Sequence, residues 1–148
     1  MKIKEIMREK VVTVFPETKV KDIAKLLLKH DITGVPVVSK ENQVVGIVTE
    51  ADLIMQYSHI HFPLYIQILD STIYLENPAK IEQELKKIAA VTASDLMTKN
   101  VYTISPEDKV EDLANLIKDK HINPIPVTKG KKLVGIVSRA DLVKLLAK

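Results

Sequence analysis

The chain repeats itself, and the repeat limits the folds open to it. Ile6-Met7 returns as Leu96-Met97, Val12-Thr13-Val14 as Tyr102-Thr103-Ile104, Pro16-Glu17 as Pro106-Glu107, and Val35-Pro36-Val37 as Ile125-Pro126-Val127, all 90 positions on. Further along the offset falls to 89, so that Val44-Val45-Gly46-Ile47-Val48-Thr49-Glu50-Ala51-Asp52-Leu53 returns as Leu133-Val134-Gly135-Ile136-Val137-Ser138-Arg139-Ala140-Asp141-Leu142. A one-residue deletion belongs in a loop, which places turns near Lys40–Asn42 and near Gly130–Lys131.

Each copy carries the same order of signals. A short first turn (Ile3 to Met7, Ser94 to Met97) leads to a brief strand (Val11 to Val14, Val101 to Ile104). Pro16-Glu17-Thr18 and Ser105-Pro106-Glu107-Asp108 then open a helix. Val20, Ile23, Ala24, Leu27 and Leu28, or Val110, Leu113, Ala114, Leu116 and Ile117, recur in it at helical spacing. Two β-branched strands follow, Gly34 to Val38 with Val44 to Val48, and Ile125 to Thr128 with Leu133 to Val137. A last helix runs from Ala51 to about Tyr57 and from Ala140 to about Ala147. The unit is β-α-β-β-α. One unit of about 50 residues buries too little apolar surface to stand alone, so two should pack together. The expected class is α/β (α+β), two pseudo-symmetric repeats at 1–57 and 93–148 with a structured spacer at 58–92.

The spacer reads as two extended segments, Phe62 to Leu69 and Thr72 to Leu75, turning at Asp70-Ser71. Pro78 then opens an amphipathic helix carrying Ile81, Leu85 and Ile88. Composition removes several function classes. Without cysteine, disulfides, thiolate chemistry and cysteine metal sites are excluded. A net charge of +3 with only two arginines, Arg8 and Arg139, is too mild and dispersed for a nucleic-acid face, and aromatic content of 4% argues against base stacking. No apolar run approaches the roughly 20 residues that span a bilayer, and no signal core opens the chain, so a cytoplasmic protein is expected. His59-x-His61 sets two rings on one face of an extended segment, but two ligands without a third make no metal site. His30 and His121 end matching helices, where a partial positive charge suits the dipole. No phosphate loop, metalloprotease signature or nucleophile triad is present, and no catalytic cofactor or enzyme activity is expected.

The repeated run is where chemistry can sit. A buried strand ends in Thr49 or Ser138 and a helix starts there, aiming free backbone N–H groups and a positive dipole at one point. Asp52 and Asp141 stand three residues on. An anionic ligand with adjacent hydroxyls suits that arrangement; so does a capping box with no ligand at all.

The doubled β-α-β-β-α unit, with Gly34-Val35-Pro36-Val37-Val38 and Gly46-Ile47-Val48-Thr49-x-x-Asp52, resembles a tandem pair of CBS domains, named for cystathionine β-synthase. The resemblance covers about two-thirds of the chain. It implies two clefts that take adenosine derivatives such as AMP, ADP, ATP or S-adenosylmethionine, and a homodimer. It further implies Asp52 and Asp141 on the ribose hydroxyls and Thr49 and Ser138 near phosphate or ribose. Val11, Val12, Val35 and Pro36, with Val101, Tyr102, Ile125 and Pro126, would form the adenine slots. The copies differ in charge: Glu50 follows the hydroxyl in the first and Arg139 in the second, and the nearby loop is Ser39–Asn42 in the first and a lysine-rich Lys129–Lys132 in the second. Arg139 should therefore draw charged nucleotides to the second copy's site. Two functions remain open: a ligand-sensing regulator that acts on an unidentified protein in trans, and a dimerisation scaffold in which the Thr/Ser-x-x-Asp pairs are only caps.

Overall fold

The computed structural model describes residues 1–60, 65–68, 71–74 and 91–148, with side chains for 1–56 and 91–148. In the first repeat a 3-10 turn at Ile3–Glu5 precedes α1 (Val20–His30), β1 (Gly34–Val38), β2 (Val44–Thr49) and α2 (Glu50–Ile60). Next come β3 (Tyr65–Ile68) and β4 (Ser71–Tyr74). The second repeat holds α3 (Ala93–Leu96), α4 (Val110–Lys120), β5 (Ile125–Lys129), β6 (Lys132–Val137) and α5 (Arg139–Leu146).

The hairpins β1–β2 and β5–β6 have matching registers. Gly34 faces Thr49 and Val37 faces Gly46, while Ile125 faces Val137 and Val127 faces Gly135. Both bulge at the same place, between Val37 and Val38 and between Val127 and Thr128. The brief first strands expected at Val11–Val14 and Val101–Ile104 reduce to single parallel bridges, Val14 to Val37 and Ile104 to Val127. α1 buries Val20, Ile23 and Leu27 but leaves Leu28 84% exposed, so its apolar stripe is narrower than the spacing implied. Asp31 and His121 end the two long helices in the left-handed conformation, at φ 50° and 54°, that commonly closes a helix.

The repeats exchange their leading segments. Ile3 N–H donates to Asp108 C=O at 2.9 Å, Lys4 N–H to Pro106 C=O at 3.0 Å, and Arg8 and Ile136 bond each other's backbone, all across the repeat boundary. In mirror fashion Ala93 N–H donates to Thr18 C=O at 2.8 Å, Ser94 N–H to Pro16 C=O at 2.9 Å, and Thr98 pairs with Ile47. Ile3 therefore sits in the second repeat's core with Ile104, Leu113, Ile125, Val127 and Val137. Ala93 sits in the first repeat's core with Val14, Ile23, Leu27, Val35, Val37 and Val48. Gly46 and Gly135 permit this crossing. A Cβ on Gly46 would strike the Met97 side chain, and one on Gly135 would lie 2.7 Å from Met7 Sδ. Across the pseudo-axis the hairpins also touch, Val44 N–H donating to Lys131 C=O and Leu133 N–H to Asn42 C=O, each at 3.0 Å.

In the spacer β3 and β4 pair antiparallel, Tyr65 facing Tyr74 and Ile68 facing Ser71; they fall within the expected extended segments except that Ser71, expected in the turn, opens β4. The expected helix from Pro78 and the side chains of His59 and His61 lie outside the described residues. No described helix is long and apolar enough to cross a membrane.

Two candidate ligand clefts

β2 delivers Thr49 to the start of α2, and β6 delivers Ser138 to the start of α5. The carboxylates fold back on these residues. Thr49 N–H donates to Asp52 Oδ2 at 2.8 Å and its hydroxyl does so at 3.2 Å. Ser138 N–H and Oγ reach Asp141 Oδ2 at 2.7 and 2.8 Å, where Asp141 is only 8% exposed. Both aspartates thus cap their helices. Thr92 with Asp95, Ser105 with Asp108 and Lys109 with Asp112 make the same backbone bond elsewhere, so the motif alone is structural. Capping uses Oδ2 only. Among the described residues, Oδ1 of Asp52 and of Asp141 accepts no hydrogen bond, and a carboxylate oxygen has room for two.

What sets these two caps apart is a cleft walled by both repeats; Asp108 and Asp112 also border a cavity, of about 370 Å³, but one lined by the second repeat alone. Asp52 and Thr49 border a cleft of about 450 Å³, and Asp141 and Ser138 one of about 320 Å³. Both volumes lie in the small-molecule range. Each cleft combines one repeat's hydroxyl and aspartate with the other repeat's leading segment. The Asp52 cleft is walled by Thr98, Asn100, Val101 and Tyr102; the Asp141 cleft by Arg8, Lys10, Val11 and Val12. Thr33, Asn123 and Pro124 line both and form the wall between them. Asn123 stiffens that wall: its Oδ1 accepts the Arg139 N–H at 2.8 Å, while Thr33 C=O accepts the Glu50 N–H at 2.8 Å.

Several expected site residues fall elsewhere. Val35, Pro36, Ile125 and Pro126 are fully buried and line neither cleft. β1 is flanked by β2 on one side and by Val14 on the other. Pro36 C=O accepts the Val14 N–H at 3.1 Å and Val38 N–H donates to Val14 C=O at 2.9 Å. That bridge uses no donor from residue 36, so proline is tolerated inside a flanked strand. The apolar walls come from Ile32 and Val11-Val12 in one cleft and from Ile122 and Val101-Tyr102 in the other. Arg139 also lies apart from its sequence neighbours. It lines the Asp52 cleft together with Glu50, not the Asp141 cleft. Successive residues of a helix start point about 100° apart, so Ser138 and Asp141 face one way and Arg139 the other.

The cations of the Asp141 cleft are instead Arg8, Lys10 and Lys144, facing Asp31 and Asp141; Arg8 Nη2 stands 3.8 Å from Asp141 Oδ2. The Asp52 cleft holds Arg139 against Glu50 and Asp52. At the repeat offset Arg8 corresponds to Thr98 and Lys10 to Asn100, a charge difference visible in the sequence once the leading segments are known to cross. Tyr102 replaces Val12 in the Asp52 cleft, with Lys120 Nζ 5.4 Å from its ring centroid.

The comparisons with known proteins agree with this architecture. The family model described as CBS domain matches residues 3–59 and 93–148. A curated protein of Methanocaldococcus jannaschii is 30% identical over 99% of this chain and 91% of its own length. Against the next relatives the chain spans only 42% and 24% of their lengths. A solved CBS domain pair in complex with 5′-methylthioadenosine and S-adenosyl-L-methionine superposes with a TM-score of 0.74 at 22% identity, covering 99% of this chain and 96% of that one. A structure in complex with AMP gives 0.74 at 23% identity, again over 99% and 96%.

Proposed function

We propose, because the chain belongs to the CBS domain family, that it is a cytoplasmic regulatory module that senses adenosine compounds and acts on a partner protein in trans. The observation that carries this reading is the pair of mirrored clefts, each closed by one repeat's capped aspartate and the other repeat's leading segment. The structural neighbours with 5′-methylthioadenosine, S-adenosyl-L-methionine or AMP support an adenosine ligand. Oδ1 of Asp52 or Asp141 would accept the ribose hydroxyls. Val11-Val12 and Val101-Tyr102 would flank the base, and Thr49 and Ser138 would stand at the helix start beside the sugar. A ligand in either cleft touches both repeats, so it binds better to one inter-repeat geometry than to another, which is the condition for regulation. The reading assigns no catalysis. α2 and α5 carry the exposed, pseudo-equivalent Ile54 and Val143, and Leu146 beyond them, a face suited to a second copy of the chain.

A ligand-free scaffold is the second reading, and it draws on the identical caps at Thr92 and Asp95. A thermal-shift panel of adenosine, 5′-methylthioadenosine, S-adenosylmethionine, AMP, ADP and ATP separates the two. A ligand binding only the folded state at a hundredfold excess over Kd adds about 2.7 kcal/mol. The shift is expected to fall stepwise in Asp52→Ala and Asp141→Ala and to persist in Asp95→Ala, which loses an equivalent cap away from the clefts. A folded wild type that no compound shifts would leave the scaffold.

A further inference from the structure

We infer that the two clefts take ligands of different charge: the Asp141 cleft a nucleoside bearing a 5′-phosphate, and the Asp52 cleft a nucleoside whose 5′ substituent is uncharged or cationic. This rests on the ligand reading above and adds the class of ligand for each site. The clefts are built from equivalent positions, so substitutions between them act against a nearly constant background. Ser138 replaces Thr49 and Ala140 matches Ala51, with Asp141 at the place of Asp52. The rim that faces a 5′ substituent is where they part. Arg8 and Lys10 stand in the Asp141 cleft at the positions of the neutral Thr98 and Asn100, and Lys144 stands where the first repeat has Met55.

Charge-assisted bonds from guanidinium or ammonium to phosphate are about twice as strong as neutral ones. The Asp141 cleft offers three such cations against Asp31 and Asp141, and Asp141 is already capping with Oδ2. Arg8 is close to half exposed and lies 3.8 Å from Asp141, a loose pair that leaves the guanidinium free to turn its other donors to a ligand. In the Asp52 cleft Arg139 is matched by two carboxylates, Glu50 and Asp52, so a phosphate there gains one attraction and meets two repulsions. That same pair of carboxylates suits a cationic or neutral substituent. Tyr102, in place of Val12, gives this cleft a larger apolar wall for a base, and His121 takes the place of Asp31.

Calorimetric titration of the full chain with AMP and with adenosine tests this. AMP is expected to lose about tenfold or more in affinity in Arg8→Gln and in Lys10→Gln, with adenosine changed less than twofold. AMP binding should disappear in Asp141→Ala and survive in Asp52→Ala. The reciprocal transplant, Thr98→Arg with Asn100→Lys in the Asp141→Ala background, should restore AMP binding in the remaining cleft. Should Arg8→Gln fail to fold, the transplant and Lys144→Gln still decide the matter. AMP retained in Asp141→Ala but lost in Asp52→Ala would overturn the assignment, as would AMP and adenosine weakening together in Arg8→Gln. If wild type binds neither compound while another member of the thermal-shift panel does bind, this inference alone is overturned; if no member binds, the ligand reading fails and this inference falls with it.

Discussion

The two repeats are alike where they are packed and different where they face solvent. In the cores Val14 matches Ile104, Ile23 matches Leu113, Val35 matches Ile125, Val37 matches Val127 and Val48 matches Val137, every one of them buried. At the cleft rims the matched pairs are Arg8 with Thr98, Lys10 with Asn100 and Asp31 with His121. A close-packed interior tolerates only exchanges of similar volume. A solvated rim can exchange a threonine for an arginine at little cost in stability. Duplication therefore keeps one scaffold while letting its two clefts acquire different chemistry. One core position breaks the pattern: Ile3 fills the second repeat's core where Ala93 fills the first's.

The largest effects should come from breaking the core symmetry on one side. Ile23→Ala and Leu113→Ala remove fully buried side chains at equivalent places. Each should destabilise by about 2–5 kcal/mol, the range for large-to-small core changes. Urea titration of both should give matched losses. A loss confined to one of them would show that the repeats are not energetically equivalent. Next in size are Gly46→Ala and Gly135→Ala, which push a methyl into Met97 and Met7. Overpacking of this kind costs about 1–3 kcal/mol. Met97→Ala should rescue Gly46→Ala specifically and leave Gly135→Ala unrelieved, because each methionine crosses to only one glycine. Rescue by the wrong methionine would contradict the exchanged leading segments.

That exchange is also what the sequence could not show. The hairpin positions and the caps at Thr49 and Ser138 are legible, since each follows from local periodicity and turn chemistry; the openings of α1 and α4 are not, because Pro16-Glu17 and Pro106-Glu107 form turns and the helices begin only at Val20 and Val110, after Lys19 and Lys109. The partner of a leading segment is not local. Ile3 to Met7 and Ser94 to Met97 carry the same pattern whether each packs on its own repeat or on the other. The clefts inherit that ambiguity: the sequence groups Arg139 with its chain neighbours Ser138 and Asp141, although it lines the Asp52 cleft. Val35-Pro36 and Ile125-Pro126 are ambiguous for a different reason. An apolar run in a flanked strand reads the same whether it fills a core or walls a slot, and here it fills the core. Gly46 and Gly135 did carry a usable signal, because glycine inside a strand marks close approach by another group.

The smallest predicted effect distinguishes how the two leading segments are held. On the second repeat, Lys2 Nζ and Lys4 Nζ clasp Glu107 at 2.6 and 2.8 Å. The Lys2 hydrogen bond, then that of Lys4, holds the Glu107 carboxyl at about 2, below its ordinary 4.5. On the first repeat the positions of Lys2 and Lys4 are occupied by Thr92 and Ser94, which carry no charge. There Asp95 is lowered by the Thr92 backbone N–H and then by its hydroxyl. Both carboxylates have depressed folded values, so each contributes stability above its unfolded value that is lost as pH falls through the folded one. Acid alone therefore loosens both segments. Salt separates them, because each segment carries a short-range cap of its own, Lys2 N–H to Glu5 Oε1 at 2.8 Å and Thr92 N–H to Asp95 Oδ2 at 2.9 Å, while only the first adds solvent-exposed, screened lysine pairs. In about 1 M salt, where the screening length is near 3 Å, amide exchange should quicken at Ile3 and Lys4, whose N–H groups bond Asp108 and Pro106. It should stay unchanged at Ala93 and Ser94, which bond Thr18 and Pro16. Glu107→Gln should reproduce the salt effect at Ile3 and Lys4 in dilute buffer and abolish any further response to salt. Equal quickening at all four amides would mean that the two docking sites are held by the same forces after all.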